Sequence, residues 1–248
     1  MAVIEQISKD KLPLHVAVIM DGNGRWAEKK GNNRIFGHQN GVRAVREIVE
    51  AAAELGIEYL TLYAFSTENW KRPREEIDAL MSLLVNSIHN EIQTLNDNKV
   101  RLLMIGESGS LPPEVRKQLE NAIKSTSINM GLKLVLALSY SGRWDILKAV
   151  RQIAEDVVSG KFSPESIDKD KFNEYLSTSN IPEPELLIRT SGEYRISNFL
   201  LWQIAYTELY FTRVLWPDFR KENFYDAILD FQKRERRFGK TGAQIIKE

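Results

Sequence analysis

An α/β fold, a single domain with a mostly parallel central sheet of about six strands flanked by helices, is predicted by three features of the sequence. Short β-branched and apolar runs alternate with longer segments of helical period, the order expected of a parallel sheet covered on both faces. The motifs richest in polar chemistry fall just after those apolar runs, where such sheets keep their sites. The chain has 248 residues, 43% of them hydrophobic, which is enough for one sizeable core, and it carries no repeat or low-complexity tract.

In chain order, strands are expected at 16–20, 59–65, 100–105, 133–138 and 186–189, with a weaker sixth at 209–211. Helical periodicity covers 41–55, 74–96, 113–127, 145–158 and 171–177, and a helix-like segment opens after residue 25. Pro73 and the acidic residues Glu75 and Glu76 mark a helix start. Residues 1–13 are expected to form a flexible tail, and 159–170, with Gly160 and Pro164, a surface loop rather than a linker, leaving one domain over 1–248.

Thirty-four basic residues balance 34 acidic ones, so nothing global points to nucleic acid. The absence of cysteine excludes disulfides and thiolate metal sites and fits a reducing compartment. The amino-terminal stretch lacks the apolar core of a secretory signal, and no apolar run approaches the ~18 residues of a membrane span, so a cytoplasmic location is expected.

Residues 15–27, HVAVIMDGNGRWA, carry the most information. An apolar run stops at Asp21, and two glycines then alternate with Asn23 and Arg25. Gly22 and Gly24 allow close approach of backbone to an anion, and Arg25 supplies a charged fork. A carboxylate beside a phosphate repels it unless a cation lies between, so Asp21 reads as a Mg²⁺ ligand facing a diphosphate.

Residues 189–197, RTSGEYRIS, gather two arginines, two serines and a threonine directly after an apolar run. Guanidinium forks suit phosphate oxygens, whereas exposed ion pairs with Glu193 would add only ~0 to 1 kcal/mol, so phosphate binding is the stronger reading. Residues 64–73, AFSTENWKRP, place a hydroxyl, a carboxylate, an amide and Arg72 in one loop; taken alone, a capped helix start with Trp70 in the core explains them as well. His38 follows a basic, glycine-bounded stretch containing Arg34 and is fit for proton transfer, although a lone histidine there is more often a packing group. Glu208, among aromatic and apolar residues, needs a partner: a metal ion, Arg237 or another arginine.

Together these stretches, with GHQNG at 37–41 and ELYFTRVLWPD at 208–218, closely resemble the cis-prenyltransferase family over 15–239. The resemblance implies a Mg²⁺-dependent transferase that adds isopentenyl diphosphate repeatedly to an allylic diphosphate such as farnesyl diphosphate. The product it implies is a long polyprenyl diphosphate, undecaprenyl diphosphate, a lipid carrier precursor for cell-wall polysaccharide. It assigns Asp21 and Glu208 to the metal, with Asp21, His38 and Asn69 as catalytic groups. It assigns Gly22, Asn23, Gly24, Arg25, Trp26, Arg34, His38, Ser66, Thr67, Glu68, Asn69, Trp70, Arg72, Arg189, Arg195 and Ser197 to substrate, the last three arginine and serine positions to isopentenyl diphosphate. It also implies an apolar tunnel near Leu80, Leu83, Leu84, Val85 and Ile88, a homodimer in which 237–239 reaches the neighbouring site, and peripheral membrane contact on product release.

The family pattern Asn-Tyr-Gly-Gly-Arg is here Ser139-Tyr-Ser-Gly-Arg143, with Ser141 replacing a residue free to take positive φ. Residues 22–27 also fit a dinucleotide fingerprint, but no acidic residue ends a strand ~20 residues later. A trans-prenyltransferase would need adjacent aspartates, which are absent. A catalytically silent partner subunit would be expected to lack Asp21 or the Arg189 cluster, and both are present.

Overall fold

The computed structural model describes residues 3–236. Six strands form one sheet: β1 (His15–Ile19), β2 (Tyr59–Ser66), β3 (Arg101–Ile105), β4 (Lys133–Tyr140), β5 (Leu186–Arg189) and β6 (Glu208–Phe211). Their order is β3-β4-β2-β1-β5-β6 and every pairing is parallel. All five residues of β1 are buried, as a central strand covered on both faces requires. Alternation along it is visible in the two cores it serves. Val16 and Val18 join the larger apolar cluster, while Ala17 and Ile19 join the smaller one on the opposite face.

Seven α-helices surround the sheet among the described residues: α1 (Asn23–Lys29), α2 (Arg34–Leu55), α3 (Arg74–Asp97), α4 (Pro113–Ser125), α5 (Gly142–Val158), α6 (Lys169–Tyr175) and α7 (Lys221–Gln232). The larger core takes Ile48 and Ala52 from α2, Met81 and Ile88 from α3, Leu119 from α4, and Phe224, Ile228 and Phe231 from α7. The smaller core holds Val135, Tyr140, Phe199 and Leu200, with Trp144 of α5 against it.

Three differences from the sequence expectation have local causes. The second helix starts at Arg34 rather than residue 41, because Asn33 caps it by accepting a hydrogen bond from the Phe36 amide at 3.0 Å. Gly37 and Gly41 are then interior to the helix, where they admit close neighbours. A Cβ on Gly37 would lie 2.0 Å from the Asn23 carbonyl, and one on Gly41 would lie 2.9 Å from the Trp216 ring. The helix α7 was not expected, its apolar face being masked by a charged sequence. Finally, residues 3–13 do not trail. Val3, Ile7 and Leu12 pack on the core, and Gln232 of α7 accepts from the Ser8 amide at 3.1 Å and donates to its carbonyl at 2.7 Å. Burial of these apolar side chains holds the segment against the fold.

No helix among the described residues is long and apolar enough to cross a membrane.

Candidate active site

The chain leaves β1 toward β2 on one side, and β5 pairs with β6 on the other, so β1 and β5 flank the point where the sheet's connectivity reverses. Crevices outside the carboxyl ends of such strands bind ligands. Asp21 follows β1 and Arg189 ends β5, and they meet: Arg189 Nη2 donates to Asp21 Oδ2 at 2.8 Å. Arg189 is only 3% exposed, so its charge is positioned by the protein rather than by solvent. Its Nη1 donates to the Ser197 hydroxyl and to the Arg195 carbonyl, both at 2.6 Å. Its Nε is buried without a partner.

Two hydroxyls of the 189–197 stretch complete the turn by binding protein groups. Thr190 Oγ1 accepts from the Asp21 amide at 2.9 Å and donates to the Asp21 carbonyl at 2.6 Å. Ser191 accepts from Arg25 through its hydroxyl at 2.5 Å and its carbonyl at 3.1 Å. Arg25 also lies 3.5 Å from Asp21 and 3.1 Å from Glu193, which in turn pairs with Arg195. Burial pushes the Asp21 carboxyl up, but the Arg189 hydrogen bond and charge, the Ser191 hydroxyl and Arg25 outweigh it and hold the group below the usual carboxylate range. Asp21 is therefore an anion at neutral pH.

Gly22 takes φ +106, and a Cβ there would sit 2.9 Å from Leu215, so this turn needs glycine on both grounds. A Cβ on Gly24 would press on the Arg34 guanidinium at 3.0 Å, which places Arg34 directly over the turn. Asn23 donates to the Met20 carbonyl at 3.1 Å, and its Oδ1 is buried without a partner.

The opposite wall comes from α2, α3 and the loop after β2. Glu76 of α3 gathers Arg72 at 3.0 Å, Arg34 at 3.8 Å and His38 at 3.9 Å. Burial, then the Arg72 charge, drives the His38 pKa down to about 4 despite Glu76, so the imidazole is neutral, and its Nε2 makes no hydrogen bond. Ser66 and Asn69 form a capping box, the Ser66 amide donating to Asn69 Oδ1 at 3.0 Å. Glu68 accepts from Asn198 at 2.7 Å, which ties this loop to the one after β5.

Asp21, Asn23, His38, Ser66, Asn69, Arg72, Arg189 and Ser197 all line one cavity of about 810 Å³. Its polar mouth leads into an apolar interior between the sheet and the α2 and α3 helices, lined by Val45, Leu62, Leu80, Leu84, Ile88 and Leu136. Volumes of this order suit an organic ligand with a charged head.

Several expected site residues lie elsewhere. Trp26 donates to Asp218 at 2.8 Å and stacks on Phe36, and Trp70 donates to Ser139 at 2.9 Å while packing edge-on against Phe65; both hold walls together. Thr67 donates to Ser141 at 2.8 Å. Glu208 is the clearest departure. It opens β6 in register with Leu186, itself opposite Val16, so it sits at the sheet's amino end and Asp21 at the carboxyl end. Its partner is Arg234 at 2.9 Å, an arginine as the sequence allowed, and within one chain it does not share a cation with Asp21. The segment 237–239 lies outside the described residues. Of the two departures from the family pattern, Ser141 is extended at φ −155 and it is Ser139 that takes positive φ, at +47.

The family model described as putative undecaprenyl diphosphate synthase matches residues 19–239. The chain belongs to the cis-prenyltransferase family. Among its relatives, an isoprenyl transferase of Chlorobaculum tepidum is 56% identical over 94% of this chain and 88% of its own length. A ditrans,polycis-undecaprenyl-diphosphate synthase of Vibrio vulnificus, farnesyl-diphosphate specific, is 48% identical over 97% of this chain and 96% of its own. A crystal structure of lavandulyl diphosphate synthase from Lavandula x intermedia in complex with dimethylallyl diphosphate superposes with a TM-score of 0.91 at 37% identity, covering 93% of this chain and all of that one. As a cis-prenyltransferase, the chain is an enzyme that transfers prenyl groups, and the crevice at β1 and β5 with its apolar cavity is its candidate active site.

Proposed function

We propose that this cis-prenyltransferase condenses isopentenyl diphosphate repeatedly with an allylic diphosphate, farnesyl diphosphate, to give undecaprenyl diphosphate. The observation that carries this reading is the junction of a buried, pre-positioned Arg189 and an ionised Asp21 with the mouth of an apolar cavity. A diphosphate head and a hydrocarbon tail are the two chemistries that junction accommodates together. The names of the Chlorobaculum and Vibrio relatives support the substrate choice.

The residues present fit a divalent cation of the Mg²⁺ kind. No cluster of three or more acidic, histidine or cysteine side chains occurs among the described residues, so an all-protein cage is not offered. One carboxylate, Asp21, at a turn where Asn23 Oδ1 is an unpartnered acceptor, suits an ion that keeps waters and takes its other ligands from phosphates. When bound by Asp21, Mg²⁺ supplies neutralising charge for the departing diphosphate.

In this reading the Gly22 to Arg25 turn and Arg34 hold the allylic diphosphate. Arg189, Arg195 and Ser197 hold that of isopentenyl diphosphate. Arginines fixed in place before reaction stabilise the charge that develops as the C1–oxygen bond breaks, without reorganisation cost. The double bond of isopentenyl diphosphate then attacks C1 and a proton leaves its C2. His38, neutral and lacking a hydrogen bond at Nε2, orients a diphosphate oxygen or accepts that proton, with Asn69 and Ser66 ordering the adjacent loop. The cavity receives the tail and excludes water from the cation-like carbon. A homodimer, implied by the resemblance, belongs to the same reading and is checked by light scattering.

The test is incubation of purified protein with farnesyl diphosphate, labelled isopentenyl diphosphate and Mg²⁺, followed by sizing of the products. Long polyprenyl diphosphates bear the reading out. Label remaining wholly in isopentenyl diphosphate overturns it.

A further inference from the structure

The cavity has a second polar boundary, remote from the diphosphate mouth, that the reaction leaves without a role. Both α2 and α3 start at the sheet's carboxyl end and run toward its amino end. From His38 to Arg46 the first helix advances ~12 Å, and from Glu76 to Glu91 the second advances ~22 Å, at about 1.5 Å per residue. There Arg46 and Glu91, both cavity-lining, join the helices through two parallel hydrogen bonds, Nε to Oε2 at 3.2 Å and Nη2 to Oε1. The hydrogen bond and charge of Glu91 hold the Arg46 guanidinium more firmly protonated than usual. Arg46 is 55% exposed in its side chain, so the cavity wall at this point is also the protein surface.

The pair closes a wall in which α3 buries few of its residues. Of the 24 residues of α3, only Met81 and Ile88 are fully buried. Polar groups Glu50, Glu54, Thr94 and Asn98 line the cavity beyond the pair, interspersed with Ala53 and Leu95, whereas Leu80, Leu84 and Ile88 precede it. A hydrocarbon chain entering from the mouth is favoured as far as those leucines. Further advance would place apolar carbon against charged side chains and strip water from them. A growing tail that leaves sideways, between the helices at this level, requires the fork of Arg46 and Glu91 to part.

Resting on the proposed condensation, we propose that the Arg46–Glu91 pair is a clasp across the α2–α3 seam, and that the ease with which it opens sets the product length at which the polyprenyl tail leaves the cavity. An exposed pair contributes little to overall stability, which suits a contact that must open during synthesis, while its bidentate geometry fixes where the helices meet.

The test uses the absence of cysteine in the chain. In Arg46→Cys/Glu91→Cys protein, a short bis-maleimide locks the seam, and the same protein capped with two separate maleimides leaves it free. Glu91→Ala and the exchanged pair Arg46→Glu/Glu91→Arg complete the set. Each protein is given farnesyl diphosphate and labelled isopentenyl diphosphate; the rate of the first condensation is read separately from the final product distribution. Expected results are an unchanged first condensation in all variants, products shortened by at least one isoprene unit when cross-linked, and a distribution shifted to longer products in Glu91→Ala but restored in the exchanged pair. Identical distributions in cross-linked, capped and Glu91→Ala protein would overturn the clasp while leaving the condensation reading intact. Failure of the first condensation in the unsubstituted protein would remove the reading beneath it.

Discussion

At the scale of single residues, the site is an arrangement of charge whose members differ in how far they can be removed. Asp21→Asn keeps shape and one acceptor for Arg189 but loses the anion, so turnover should fall ~100-fold or more while thermal unfolding moves little. Steady-state rates beside a melting curve separate the two effects. Arg195 is exposed, and Arg195→Ala should raise the KM for isopentenyl diphosphate ~10-fold with unchanged stability, the loss of a charged hydrogen bond worth about 1.5 to 3 kcal/mol. Arg189 differs because it is buried against Asp21. Its removal leaves Asp21 half-buried with one guanidinium fewer, so Arg189→Ala should also destabilise the fold, by ~3 kcal/mol in denaturant titration. Protons act at the same scale. His15, hydrogen-bonded to Pro182 at 2.6 Å and Thr61 at 2.7 Å, has its pKa lowered by burial to about 4, as has His38. Both stay neutral in the fold while the unfolded chain takes up protons below pH ~6.5, so stability should be flat above that pH and fall between ~6.5 and ~4, by up to ~1.4 kcal/mol per pH unit for each histidine. Urea unfolding across that window checks it. The residues legible in the sequence were those whose type alone suits phosphate, Arg25, Arg34, Arg189 and Ser197, or a cation beside it, Asp21. The partners of Thr190, Ser191 and Glu76 were not, since a hydroxyl or a glutamate at a helix start has a dozen ordinary uses and only the fold shows which group it faces.

At the scale of elements, glycines decide how closely the helices approach the site. Because the Gly37 position abuts the Asn23 carbonyl, Gly37→Ala must push α2 away from α1 and with it the diphosphate turn. A loss of about 1 to 3 kcal/mol, with an activity loss that exceeds it, is expected from calorimetry and rate measured together. The loop after β5 stores strain: Ser191, Ser197, Asn198 and Leu200 all have positive φ, between +47 and +83. Such conformations cost energy unless the surroundings enforce them, and here the Arg189 and Glu68 hydrogen bonds do. Five of the six strands were plain in the sequence because β-branched runs bounded by polar turns have few other readings. The start of α2 was obscured by its glycines, which read locally as breakers but serve packing. The apolar face of α7 was hidden by its charged neighbours. Ser139 rather than Ser141 takes the left-handed conformation; the Ser139 hydroxyl accepts from Trp70 and Ser110, while Ser141, whose hydroxyl accepts from Thr67, is extended.

At the scale of the whole molecule, the parallel sheet explains what the list of motifs did not. It collects the loops after β1, β2 and β5 at one end, so residues separated by 168 positions, Asp21 and Arg189, come into hydrogen bond. The same topology sends Glu208 to the opposite end, and no spacing argument reveals that without knowing which end of β6 it occupies. The account's central claim is that a diphosphate lies against Asp21, Arg25 and Arg189 with its hydrocarbon in the cavity between the sheet and the α2 and α3 helices. A crystal structure with Mg²⁺ and farnesyl thiodiphosphate tests it most directly. The account predicts the diphosphate at the Gly22 to Arg25 turn, with the cation on Asp21 and the tail running past Leu84 and Ile88. A diphosphate bound away from that turn, or a tail lying outside the cavity, would contradict it.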